Sequence, residues 1–208
     1  MEASISALSG YQISQFFSNN TPITQQRCNY EAERITGAPA IPSTVQGGTS
    51  YTVITGDSVV QFRADHSALD LQLLRCVEQA YAGFVPCHSR VGELGKLYIY
   101  AMDNIGGISM YLAREQLNSD NHRLLQRTLK DYARFFSSAW HNMPEGMPSP
   151  SRMMLLNDYS SQFTELRAGL PPRFHQILGY LTSHLPRLFA NDWPMVPNHT
   201  DLLENKSM

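Results

Sequence analysis

Apolar residues change their spacing three times along the chain, and each change predicts a different element. Residues 3–20 place Ile5, Leu8, Ile13, Phe16 and Phe17 at a loose helical spacing interrupted by Gly10. A second short helix is expected over 30–40, ending where Gly37-Ala-Pro-Ala-Ile-Pro42 leaves helical geometry. From residue 43 the texture becomes β-like. Tyr51–Thr55 and Ser58–Arg63 read as two strands turned about Gly56-Asp57, a hairpin. Over 67–81 the period returns to helical, with Leu69, Leu73, Val77 and Ala80 on one face and Leu74 beside them. Val85-Pro86 breaks it, Arg90–Gly95 is expected to turn, and Lys96–Met102 reads as a third strand.

Beyond a connector at Asp103–Gly107 every remaining pattern is helical. Leu125, Leu129, Tyr132, Phe136 and Trp140 form an amphipathic stripe in 119–141. Ser149-Pro150 is a helix start, followed by Leu156, Tyr159, Phe163, Leu166 and Leu170 at the same spacing. Pro171-Pro172 starts another helix with Phe174, Ile177 or Leu178, Leu181 and Leu185, bent or ended before Pro186. The expectation is an α+β chain in three parts: a helical segment (1–40), a β-rich lobe with one helix (41–102) and a helical lobe (103–208).

Composition narrows the function classes. The chain has 208 residues, 42% hydrophobic and 16% charged, enough to bury a core. A net charge of −2 leaves no electrostatic footprint for nucleic acid or an acidic membrane. Cys28, Cys76 and Cys87 are odd in number and show no CxxC spacing, which argues against a disulfide framework or zinc site and predicts a cytoplasmic protein. Met1-Glu2-Ala3-Ser4 carries no basic segment followed by an apolar run, so export is not expected. No stretch approaches the roughly 18 apolar residues of a membrane span.

Candidate chemistry sits in four phrases: Val45-Gln-Gly-Gly-Thr-Ser-Tyr-Thr-Val53, Val59-Val-Gln-Phe-Arg63, Leu97-Tyr-Ile-Tyr-Ala-Met102 and Val196-Pro-Asn-His-Thr-Asp-Leu-Leu-Glu-Asn205. In this order they resemble the aminoglycoside phosphotransferase / choline kinase-like family, most closely its fungal members. The resemblance implies a protein kinase-like two-lobe fold, with a small β-sheet N-lobe and an incomplete helical C-lobe. It also implies ATP-dependent phosphorylation of a hydroxyl group on a small molecule, with ATP and magnesium as cofactors.

Residue by residue, the resemblance implies that Gly47, Gly48, Thr49 and Ser50 form the loop over the ATP phosphates. Arg63 takes the place of the phosphate-pairing Lys on the third strand. Its positioning carboxylate would come from the 67–81 helix, Asp70 first and Glu78 second. Tyr100, Ala101 and Met102 would line the adenine pocket. His199 would buttress the catalytic loop and Asp201 would be the base. Each has a plain structural counterpart: a hairpin turn for the glycines, a solvated charge for the acids, core packing for Tyr100–Met102 and a polar helix-to-loop turn for His199 and Asp201.

Two departures alter that expectation. The metal-binding Asn belongs five residues after the Asp, at position 206, where this chain has Lys; Asn205, the metal-ligand candidate, falls one place short. A charged Lys has no lone pair for magnesium. Further, Lys206-Ser207-Met208 supplies neither the second acidic ligand nor the helices that build an acceptor pocket. The expectation is therefore a phosphotransferase homologue truncated at the catalytic loop and catalytically impaired. Its uncovered helical stripes would then meet a protein partner or a second copy. A non-catalytic nucleotide-binding or interaction module is the alternative, and a helical domain with an incidental hairpin the third reading.

Overall fold

A computed structural model describes residues 2–108, 110, 112–144, 150–190 and 195–197. The chain forms an α+β structure in two compact units, the first running to Asn142 and the second beginning at Met143. Read from sequence alone, the division falls at 102/103.

The first unit opens with α1 (Glu2–Asn19) and α2 (Gln25–Thr36). Thr24 caps α2 by accepting the Arg27 N–H, and Gly37 ends it at φ +73°, a left-handed conformation that suits glycine. The helix thus starts five residues before the expected position, because its first turn is too polar to show a stripe.

Five strands follow: β1 (Ile41–Pro42), β2 (Ser50–Thr55), β3 (Ser58–Ala64), β4 (His88–Leu94) and β5 (Leu97–Asp103). They form one antiparallel sheet in the order β1-β2-β3-β5-β4. The β2–β3 hairpin closes on Gly56-Asp57 with Gly56 at φ +60°. β4 occupies the stretch expected to turn. Its register shifts between Arg90 and Gly92, and Ser89, Arg90, Val91 and Glu93 are exposed on this edge strand. A bulge and a solvated edge together erase the alternation that marks a strand.

Alternation then assigns the two sheet faces, since cross-strand partners share a face. Tyr51, Val53, Val60, Phe62, Leu97 and Ile99 are fully buried and join Phe16, Ile23, Cys28 and Ala32 of the α1–α2 layer in one core. Tyr51 also donates its hydroxyl to Asn29 Oδ1 at 2.7 Å and accepts from Gln25 Nε2 at 3.1 Å, tying α2 to the sheet. The opposite face carries Ser50, Gln61, Arg63, Tyr98, Tyr100 and Met102.

Between β3 and β4 lies α3 (Leu71–Ala80). Leu73, expected on its buried face, is 38% exposed, while Ala80 is buried. After the sheet come α4 (Arg114–Asn118) and α5 (Arg123–His141). Asp120, Asn121 and His122, expected to begin one helix, stand at positive φ and separate the two. The face that α5 turns to α3 carries Phe135, stacked on Tyr81 at 4.2 Å, and Ser138, whose hydroxyl donates to the Ala80 carbonyl at 2.9 Å. Leu129, Phe136 and Trp140 of the expected stripe are instead 50–56% exposed.

The second unit contains α6 (Arg152–Gly169) and α7 (His175–Leu188). Leu178 and Leu185 are buried, and Tyr159 stacks on Phe189. Helix α7 continues through Pro186 to Leu188, so the proline falls inside its last turn rather than ending it. Among the described residues no helix is long and apolar enough to cross a membrane.

Candidate functional site

Four of the predicted residues, Ser50, Arg63, Tyr100 and Met102, share the non-core face of the sheet, with Ser50 and Tyr100 buried. Ser50 is the cross-strand partner of Arg63, Gln61 that of Tyr100, and Val59 that of Met102. Arg63 therefore lies between the start of β2, where the glycine loop ends, and the start of β5, where its partner is Tyr98. This placement follows from register alone, because positions two apart on a strand share a face.

Arg63 is half-buried. Its Nε donates to Gln61 Oε1 at 3.0 Å and its Nη1 to the Ser67 carbonyl at 3.2 Å. Among the described residues no carboxylate pairs with it. Burial lowers its pKa from the ordinary arginine value, a shift opposed by the nearby Tyr100 phenol. The guanidinium stays charged at any physiological pH, so a cation sits partly out of water with only neutral acceptors around it.

Neither acid proposed for it pairs with it. Asp70 is the N-cap of α3, its Oδ1 accepting the Gln72 and Leu73 N–H groups at 2.9 and 3.0 Å. Glu78 Oε1 accepts the His88 N–H at 2.6 Å and lies 3.2 Å from His88 Nδ1. Capping explains why Asp70 looked correctly spaced: a helix start needs a short acceptor at that point whatever the helix does later.

Ser67, not singled out in the sequence, joins the loop to the cation. Its carbonyl accepts from Arg63, and its hydroxyl donates to the Thr49 carbonyl at 2.8 Å. Gly47, Gly48 and Thr49 are exposed, and among the described residues their backbone N–H groups have no acceptor. Ser67 thus links the Thr49 carbonyl to the cation, and N–H donors without an acceptor together with a half-buried cation are groups that an anion could use. Tyr100 is 2% exposed, its hydroxyl oxygen accepting the Leu69 N–H at 3.1 Å, and Met102 is half-buried. Tyr100 is thereby a strut between β5 and the approach to α3, with its phenol turned away from solvent.

The candidate base Asp201, its neighbour His199 and the metal-ligand candidate Asn205 lie outside the described residues. Among the described residues no group of three or more His, Cys, Asp or Glu side chains is arranged to hold a metal ion. A surface cavity of about 480 Å³ in the second unit, lined by Gln162, Glu165, Leu166, Gly169 and Leu170, contains none of the predicted site residues.

No protein-family model and no curated protein matches this chain.

Proposed function

We propose that this chain is an aminoglycoside phosphotransferase-like small-molecule kinase homologue that binds Mg·ATP on the non-core face of its sheet. The observation that carries the reading is Arg63: a half-buried cation without a carboxylate, on the third strand, beside a glycine loop with unbound N–H groups. A nucleotide triphosphate supplies both what the cation lacks and what the loop can hold. In this reading Gly47–Ser50 and Arg63 hold the phosphates and Met102 lines the adenine side, while Tyr100 is a buried strut and Ala101 falls on the core face of β5. Asp201, oriented by His199, accepts the proton of the attacking hydroxyl.

Because Asp70 and Glu78 are engaged elsewhere, the phosphate oxygens themselves provide the counter-charge of Arg63. Transfer is slow in this account, since Lys206 stands at the position of a magnesium-binding Asn and cannot ligate the ion. The test is a pair of measurements on the full chain. Mg·ATP should raise the thermal midpoint, because a ligand that binds only the native state stabilises it. ATP consumption should stay at background in wild type and in Asp201→Ala alike, because without the metal ligand there is little turnover to lose. Magnesium-dependent turnover abolished by that substitution would overturn the account of impaired transfer, and no midpoint shift at millimolar Mg·ATP would overturn the site.

The exposed row Leu129, Phe136 and Trp140 on α5 favours a second reading, a non-catalytic interaction module. Phe136→Ser with Trp140→Ser should abolish any association of the chain seen by sedimentation if that row is the contact; unchanged sedimentation would remove the reading.

A further inference from the structure

The loop that the proposed function assigns to phosphate is held from behind by the N-terminal helix. Ser9 on α1 is 7% exposed; its hydroxyl donates to the Thr44 carbonyl at 2.9 Å and accepts the Gln46 N–H at 3.2 Å. Gln46, 6% exposed, closes the loop on itself. Its Nε2 donates to the Ser43 and Thr52 carbonyls at 3.1 and 2.7 Å, and its Oε1 accepts the Thr52 N–H at 3.0 Å. One helical turn beyond Ser9, the Gln12 side chain reaches Gly48: a Cβ added there would lie 3.0 Å from Gln12 Oε1. A Cβ added at Gly47 would meet nothing within 4 Å.

The two glycines thus differ in what they permit. Gly48 allows the close approach of Gln12, whereas Gly47 faces open space. All these contacts engage the loop's side chains, its carbonyls and the N–H of Gln46. The N–H groups of Gly47, Gly48 and Thr49 are left unspent. A backbone already restrained by these bonds, with its N–H donors unspent, has less conformational entropy left to lose when an anion arrives.

We infer that α1 is a positioning element for the anion loop, with Ser9 as the positioning residue that sets its affinity without touching the ligand. The inference rests on the nucleotide reading for its consequence, while the brace itself can be tested without nucleotide. The full chain is measured with Mg·ATP by calorimetry and, unliganded, by amide hydrogen exchange.

Ser9→Ala is expected to weaken Mg·ATP binding about tenfold, some 1.4 kcal/mol, and Ser9→Thr, which keeps the hydroxyl, to restore it. Gly48→Ala should weaken binding less than Ser9→Ala, because the atom that the new Cβ meets is the free end of the Gln12 side chain, and adding Gln12→Ala should remove what loss there is. In the unliganded protein, Ser9→Ala should speed exchange of the Thr52 amide about tenfold, although Ser9 does not touch Thr52. Unchanged binding in Ser9→Ala, with wild type binding normally, would overturn the inference. So would a Gly48→Ala loss that Gln12→Ala does not relieve. Should wild type bind no nucleotide, the site reading fails and the exchange rate decides the brace by itself: an unaltered Thr52 amide would overturn it.

Discussion

Arg63→Met separates what the cation costs the fold from what it gives the site. Methionine keeps most of the apolar stem and removes the charge. The substitution loses two hydrogen bonds from a charged donor, to Gln61 Oε1 and the Ser67 carbonyl, each worth roughly 1.5–3 kcal/mol. Against this stands relief from holding a half-buried guanidinium with no carboxylate, a penalty of several kcal/mol for a buried ion. Water can reach the two freed acceptors, because Gln61 and Ser67 are themselves only half-buried. The terms nearly cancel, and the unliganded stability should change by no more than about 1 kcal/mol. For a chain of this size that is a midpoint change of about 2–4 °C.

The liganded protein behaves differently. At a Mg·ATP concentration of about 100 Kd, wild type gains about 2.7 kcal/mol, a rise of about 5–11 °C. A tenfold weaker variant at the same concentration gains about 1.4 kcal/mol, half that rise. Differential scanning fluorimetry with and without Mg·ATP measures both quantities. An Arg63→Met protein that keeps the full rise would refute the assignment of Arg63 to the phosphates. One destabilised by several kcal/mol without ligand would refute the claim that the cation lacks a counter-charge.

Three further outcomes follow from the same geometry. Cys28 is fully buried, and burial pushes its thiol from 9.0 to about 12; the unfolded chain therefore ionises first, and stability contributed by the neutral thiol is lost between about pH 9 and 12, by up to about 1.4 kcal/mol per pH unit. Cys28→Ala should flatten that alkaline slope, and maleimide should label exposed Cys87 in the native state but Cys28 only on unfolding; rapid native labelling of Cys28 would contradict its burial. Gly56→Ala should cost about 1–2 kcal/mol in urea denaturation, because a Cβ there meets only Ala38 at an ordinary 3.7 Å and the whole cost is the backbone at φ +60°. Tyr51→Phe should cost about 1–3 kcal/mol by leaving Asn29 and Gln25 short of a partner beneath the sheet, and a neutral result would show that water replaces the hydroxyl.

Legibility in the sequence followed the range of the interactions involved. The hairpin over 51–63 and the strand at 96–102 were readable because each is rich in β-branched or aromatic residues and follows or spans a glycine turn, and that local record is enough to place Arg63. β4 was not readable, since its register depends on a bulge at Val91 against β5 and its exposed edge favours polar residues. On α5 the apolar spacing correctly signalled a helix but not its buried side. Phe135 and Ser138 meet Tyr81 and Ala80 more than 50 residues away, while Leu129 and Phe136 stay exposed.

The site divides in the same way. Glycines 47 and 48 and Arg63 stand out by residue type. The groups that shape their surroundings, Ser9, Gln12, Gln46 and Ser67, are ordinary polar residues whose partners lie up to 37 positions off. Asp70 shows the converse: its spacing fits a charge partner and a helix cap equally, and only the Gln72 and Leu73 N–H contacts decide.

Equilibrium binding of Mg·ATP to the full wild-type chain, followed residue by residue by NMR, tests the central claim most directly. Saturable one-to-one binding with the largest shifts at Gly47–Ser50, Arg63 and Met102 is the predicted result. Absence of saturation at millimolar Mg·ATP, or shifts confined to the second unit, would contradict it.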